Sequence, residues 1–225
     1  NNVQVSANWM AASGENSDDF ALRSGVEALS KIAVDLKVSI PVGKDSLSMR
    51  TKWSENNSDY EVSSPLSGVI TAMAPVDDVT ESVTPELNTS DDTSILLIKL
   101  NNKNRLAGSI FSEITETKYQ HTPDIDDIEV FEKLFSGIQN LLKSKKILAM
   151  HDISDGGLIT TLLEMCFTKK VGMRLDLDDS SGVNEFLFSE EIGFAIQIKK
   201  NNLDEVTNTL KNENIYVKNL SLIHI

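Results

Sequence analysis

The chain carries its densest chemistry in Ile147-Leu148-Ala149-Met150-His151-Asp152-Ile153-Ser154-Asp155-Gly156-Gly157-Leu158. Ile147 to Met150 is a short apolar run and predicts a buried strand. From Leu158 to Phe167, the residues Leu158, Ile159, Leu162, Leu163 and Cys166 recur at helical spacing. A carboxylate-rich turn therefore separates a strand from the start of a helix. Free N–H groups and the positive end of the helix dipole favour bound anions there. Asp152, Ser154 and Asp155 in such a turn are the parts of a Mg²⁺–nucleotide site. The turn alone also fits a plain N-cap at Ser154 or Asp155, with Gly156-Gly157 allowing close packing. His151 fits either a ligand contact or a strand-end histidine satisfied by backbone.

Working outward, Ile128, Phe131, Leu134, Phe135, Ile138, Leu141 and Leu142 mark an amphipathic helix before this strand, acidic at its start and Lys-rich at its end. Ile95 to Leu100 predicts a buried strand, and Ala107 to Ile114 a short helix. After the turn, Gly172 to Asp178 reads as a strand. Phe186 to Glu191 leads into another, where Phe194, Ile196 and Ile198 alternate with polar residues. Leu203, Val206 and Leu210 share a helix face, and Ile215 to Ile225 closes as a strand. Toward the N-terminus, Val3 to Met10 is strand-like, and Leu22, Val26, Leu29, Ala33 and Leu36 form the stripe of a helix capped at Ser17-Asp18-Asp19. Val38 to Val42 is a strand followed by a loop, Gly43-Lys44-Asp45-Ser46. A hairpin with a polar tip at Ser54 to Asp59 and a strand over Pro65 to Ala74 complete this half. The Pro-containing acidic stretch between Val76 and Asp92 predicts a linker, with the domain boundary near Thr84 to Asp92.

The 225 residues suffice for two small domains, and 40% apolar content allows an ordinary core. A net charge of −13 argues against a nucleic-acid groove or an anionic membrane surface as partner. No apolar run reaches the length of a membrane span, and no signal peptide opens the chain. One cysteine, Cys166, on the apolar face of its helix, reads as a buried structural thiol and fits a reducing cytoplasm. The chain opens on Asn1-Asn2-Val3, directly into strand-like sequence, and reads as a fragment of something longer.

Pro41-Val42-Gly43-Lys44-Asp45-Ser46-Leu47-Ser48-Met49 is the second loaded stretch. Glycine permits close backbone approach, Lys44 supplies a charge for phosphate, a carboxylate can hold a metal, and Ser46 can bind a ligand oxygen. It is not a Walker A loop. It also fits a polar turn with Lys44 solvated.

Taken in order, Ser6-Ala7-Asn8-Trp9-Met10-Ala11-Ala12, Ile40 to Met49, Ser64-Pro65-Leu66, His151 to Leu158 and Phe188-Ser189-Glu190-Glu191-Ile192-Gly193 resemble the large form of phosphoribosylformylglycinamidine synthase. The resemblance runs from the first residues to about Ile198 and is to the second of that family's two aminoimidazole-ribonucleotide-synthetase-like halves. It implies an α+β fold: a truncated, strand-rich N-terminal domain over residues 1–88, then an α/β sandwich-like C-terminal domain over 89–225. It implies an ATP-dependent carbon–nitrogen ligase of purine synthesis that makes formylglycinamidine ribonucleotide from formylglycinamide ribonucleotide, glutamine and ATP. The other synthetase-like half and a glutaminase domain are its implied partners. Asp152 matches a Mg²⁺ ligand of the family and Ser154 a ligand-contacting serine. Gly43, Lys44 and Ser46 stand where short-form relatives read Gly-Asn-x-Ser and contact nucleotide, metal and substrate. Lys44 replaces an asparagine there, and a cation in that position disfavours Mg²⁺ at this stretch. The family's further Mg²⁺ ligands, its catalytic histidine and the glutaminase cysteine have no counterparts here, so no catalytic residue is assigned and the chain alone is expected to be inactive. ATP or ADP with Mg²⁺ is the implied ligand. Other members of the same ATP-binding superfamily, of hydrogenase-maturation or thiamine-phosphate-kinase type, and a non-catalytic assembly module are the alternative readings.

Overall fold

The computed structural model of the chain describes residues 3–14, 16–89, 92–175 and 182–220. They fall into two compact units, Asn1–Asp77 and Asp78–Ile225.

In the first unit β1 (Gln4–Met10) leads into α1 (Asn16–Asp35). Four strands follow: β2 (Ser39–Ser46), β3 (Arg50–Glu55), β4 (Ser58–Ser63) and β5 (Ser67–Met73). β1 lies between β2, to which it is parallel, and β5, to which it is antiparallel. Asp18 and Asp19 stand in the first turn of α1, where the dipole favours them. Asp19 Oδ1 accepts from Ser13 Oγ at 2.7 Å and from the Gly14 N–H at 3.2 Å, which fixes the approach to the helix. Trp9 packs between α1 and β5 at two glycines. A Cβ on Gly25 would stand 3.0 Å from the indole, and one on Gly68 3.1 Å. An apolar hollow of about 540 Å³ separates the stripe of α1 from the sheet, lined by Trp9, Leu22, Val26, Leu29, Val34 and Asp45 among others. β3 and β4 form a hairpin from Arg50↔Ser63 to Glu55↔Ser58. Its turn is Asn56-Asn57, with φ of 51° and 63°, the left-handed pair that matches strand twist. The tip is thus shorter than the 54–59 expected, because the cross-strand ladder runs up to the turn.

In the second unit the order is β6 (Thr93–Lys99), α2 (Ile110–Ile114), α3 (Ile128–Lys143), β7 (Ile147–Asp152), α4 (Gly157–Phe167), α5 (Val183–Phe188), β8 (Gly193–Lys199), α6 (Leu203–Lys211) and β9 (Tyr216–Asn219). The strands make one antiparallel sheet, β7–β8–β6–β9. Side chains alternate across a strand, and here both faces are covered. Leu96, Ile98, Ile196 and Ile198 pack with Leu134 and Ile138 of α3 and Val206 and Leu210 of α6. Ile95, Leu97 and Ala195 pack with Leu158, Leu162 and Met165 of α4 and Phe186 of α5. Each such side chain contributes about 1.5–3 kcal/mol by leaving water. The result is an α/β/α sandwich, and the fold as a whole is α+β.

Three segments differ from expectation. The division between units precedes Asp78 rather than lying at 88/89, and residues 84–89 belong to the second unit. Leu87 is 1% exposed within the α4-side core. Gln197, fully buried in mid-strand, donates to the Asn88 carbonyl and accepts from the Asn88 N–H, both at 2.8 Å. The Thr84 carbonyl accepts from the Met150 N–H. Buried polar groups need partners, and this segment supplies them. Second, Gly43-Lys44-Asp45-Ser46 is not a loop but the end of β2, in register with Ala7 to Met10. Third, residues 171–175 have no regular structure, and 176–178, the rest of that expected strand, lie outside the described residues. Residues 221–225, with His224, lie outside them too. Among the described residues no helix is long and apolar enough to cross a membrane.

Candidate functional site

In the first unit, strand geometry sorts the expected site residues. Lys44 and Ser46 alternate onto one face of β2, and Lys44 Nζ donates to Ser46 Oγ at 3.0 Å. Gly43 and Asp45 lie on the other face, and Asp45 lines the hollow beneath α1. A Cβ on Gly43 would meet the Ala7 carbonyl oxygen at an ordinary 3.5 Å, so no close approach within the protein demands glycine. Asn8 sits beside Lys44 in register, between it and Val69. Asn8 Oδ1 is buried without a hydrogen-bond partner among the described residues. β2 is also an edge strand of its sheet, so alternate backbone groups point away from β1.

In the second unit, β7 ends at Asp152 and the chain turns through Ile153, Ser154 and Asp155 into α4. Neither Ser154 nor Asp155 caps the helix. The N-cap is Gly156, with φ of 83° and no side-chain cap bond. Gly157 follows at φ 72°, and a Cβ there would lie 2.6 Å from the Phe188 backbone carbon. Two successive left-handed residues against a neighbouring backbone require glycine. The fold therefore leaves the Ser154 hydroxyl and the Asp155 carboxylate exposed to solvent. Asp152 points outward at 64% side-chain exposure. His151 is satisfied by carboxylates, not by backbone. Nε2 lies 2.7 Å from Glu164 Oε2, and Nδ1 lies 3.1 Å from Asp152 Oδ1. Cys166 is a buried free thiol, its pKa pushed up by that burial.

The two glutamates of Phe188-Ser189-Glu190-Glu191 hold this turn and its surroundings. Glu190 Oε1 accepts from the Gly156 and Ile110 N–H groups, each at 2.9 Å, and so ties the turn to the start of α2. Glu191, 2% exposed, takes a two-pronged bond from Arg105: Nε to Oε1 and a terminal nitrogen to Oε2, both at 2.7 Å. It also accepts from the Arg105 N–H at 3.0 Å. Glu191's hydrogen bonds raise the Arg105 pKa further above its ordinary value. Arg105 also pairs with Asp126, whose pKa is lowered chiefly by a bond from Lys103. Lys99, buried nearby, donates to the Lys103 carbonyl and to Asn104 Oδ1. Burial pushes its pKa down to about 8; Glu191 opposes that shift and Arg105 adds to it.

Sequence reasoning left Glu190 and Glu191 without partners and passed over Glu164 and Thr161. Arg105 lies 86 positions from Glu191, and no local pattern links them. For Thr161 and Glu164 a signal existed: their spacing of three puts them on one face of α4, toward the end of β7.

Among the described residues no group of three or more His, Cys, Asp or Glu side chains is arranged to hold a metal ion. Asp152 fits the lesser role of one carboxylate beside phosphate oxygens, the usual setting for Mg²⁺.

Solved structures of similar fold include Thermotoga maritima PurL complexed with ATP, at 12% identity over 98% of this chain and 33% of that one, with a TM-score of 0.66. The same protein complexed with FGAR matches at 11% identity, 98% and 35% coverage and a TM-score of 0.66. Escherichia coli HypE matches at 13% identity, 96% and 67% coverage and a TM-score of 0.64. The chain spans about a third of the PurL chains. Residues 1–75 match the FGAR-AT PurM_N-like domain. Residues 92–220, more than half the chain, match the AIR synthase related protein C-terminal domain, and the chain belongs to that family.

Proposed function

We propose that this chain forms part of a glutamine- and ATP-dependent ligase that converts formylglycinamide ribonucleotide to formylglycinamidine ribonucleotide in the cytoplasm, and that it contributes one portion of a Mg²⁺–nucleotide site. The observation that carries this reading is the FGAR-AT PurM_N-like match over residues 1–75, standing before the synthase-related match over 92–220. The PurL structures complexed with ATP and with FGAR support the ligand classes.

In the reaction, ATP phosphorylates the amide oxygen of the substrate, and ammonia derived from glutamine then displaces phosphate. Transferring phosphate charge must be neutralised and water kept away. On this reading Lys44 offsets phosphate charge as a mobile point cation. In the first unit Ser46 offers its hydroxyl to a ligand oxygen, and in the second unit the exposed Ser154 hydroxyl does so separately. Gly43 contributes backbone groups of an edge strand. Asp152 holds Mg²⁺, which when bound neutralises and orients the phosphates. The other synthetase-like half and a glutaminase domain supply what this chain lacks.

The coverage of HypE, 67% of its length, favours one second reading: an ATP-binding protein of hydrogenase-maturation type. Turnover separates the two. In the enzyme that carries this chain, ADP formation should require formylglycinamide ribonucleotide and steady turnover should also require ammonia or glutamine, while the 225-residue chain alone should form no amidine product. ADP release indifferent to that ribonucleotide would overturn the assignment.

A further inference from the structure

We propose that His151 and Glu164 are positioning residues for Asp152, an inference that rests on the nucleotide-site reading above. Successive residues of a strand point to opposite faces. A contact between His151 and Asp152 is therefore not a product of the strand itself; the Asp152 side chain must turn back where β7 ends. Its backbone cannot drift there. Asp152 pairs with Phe194 of β8, the next N–H donates to the Gly193 carbonyl, and Thr161 Oγ1 donates to the Asp152 carbonyl at 3.0 Å. One turn further along the same face of α4, Glu164 takes the His151 Nε2 bond at 2.7 Å. A single helix face thus grips the strand end twice, once by backbone and once through the imidazole.

The exposures give the direction of the device. The imidazole is 19% exposed, while the carboxylates on either side of it are 64% and 51% exposed. The half-buried ring acts as a spacer anchored by Glu164, and it presents Nδ1 to Asp152 Oδ1 at 3.1 Å. Asp152 Oδ2 has no partner among the described residues and is left to a ligand. An outward carboxylate otherwise samples several rotamers, and support of a metal-binding group from behind is worth about 10–100-fold in metal affinity.

The test uses Mn²⁺ with ADP as probe, read by electron paramagnetic resonance on the 225-residue chain, with metal-free ADP binding measured alongside. Glu164→Ala and His151→Phe should each weaken Mn²⁺–ADP binding by about tenfold and leave metal-free ADP binding unchanged. His151→Asn, whose amide nitrogen can replace Nδ1, should recover part of the loss; His151→Gln, which replaces Nε2, should not. If His151→Phe fails to fold, Glu164→Ala, at a half-exposed helix position, decides. Wild-type affinity in Glu164→Ala and His151→Phe, with Asp152→Asn impaired, would overturn the positioning role alone. No Mn²⁺–ADP binding by the wild type, or none lost in Asp152→Asn, would overturn the nucleotide reading and this inference with it.

Discussion

Two glycines in this chain invite the same functional reading, and their surroundings separate them. Gly157 combines φ of 72° with a Phe188 backbone carbon 2.6 Å from where a Cβ would stand. Gly157→Ala should cost about 3 kcal/mol through strain and overpacking. Gly43→Ala meets only an ordinary contact in a strand and should cost nothing, gaining about 0.5–1 kcal/mol from the lost backbone freedom of the unfolded chain. Urea unfolding of both variants checks this; equal losses would contradict it. Lys99 makes the pH prediction at this scale. Its folded pKa is lowered to about 8 from 10.5, so between those values the unfolded chain holds the proton that the folded chain has lost. Stability from this group therefore rises with pH across that window, and its burial penalty is complete below it. Relative to Lys99→Met, the wild type should gain stability between pH 7.5 and 10. A constant difference would show that Lys99 keeps its proton in the folded state.

At the level of elements, the buried Arg105–Glu191 pair is the strongest tie between the segment before α2 and the start of β8. Arg105→Ala strands a carboxylate that is 2% exposed, and breaking a buried pair costs about 3–5 kcal/mol. Chemical denaturation should show it, with a smaller loss for Glu191→Gln; a loss under about 1 kcal/mol for Arg105→Ala would contradict the role. α3 and α4 were legible in the sequence because their burial is periodic, and β6 because its apolar run is buried without a break. The end of β2 was not. Gly43-Lys44-Asp45-Ser46 has the composition of a loop, yet its backbone pairs with β1, and ladder bonds ignore side-chain polarity. The correction matters for the candidate site, since a strand places Lys44 and Ser46 on one face and Asp45 on the other. The turn after β7 was legible as a loaded strand-to-helix junction. Its cap was not, because Glu190, 34 positions away, takes the Gly156 N–H.

Over the whole molecule, the two units reflect where buried partners are found rather than where proline and acidic residues cluster. Leu87 and Asn88 are tied into the second unit, whereas Val76 and Val79 are 66% and 73% exposed. Elastase should cut between residues 74 and 80 before it cuts near Leu87; first cleavage near Leu87 would contradict the packing described. The motifs that carried the family resemblance lie in both units, and the family matches over 1–75 and 92–220 agree with them. The long-range carboxylate partners could not be read in advance, because pairs separated by 34 or 86 positions leave no periodic trace. The central claim is that Asp152 and the turn behind it serve a Mg²⁺-bound nucleotide. Calorimetric titration of ADP into the wild-type chain and Asp152→Asn, each with and without Mg²⁺, tests it most directly. The account predicts Mg²⁺-dependent binding that is weakened by about tenfold or more in Asp152→Asn, with unfolding midpoints alike. Equal affinity in the two proteins, or binding indifferent to Mg²⁺, would contradict it.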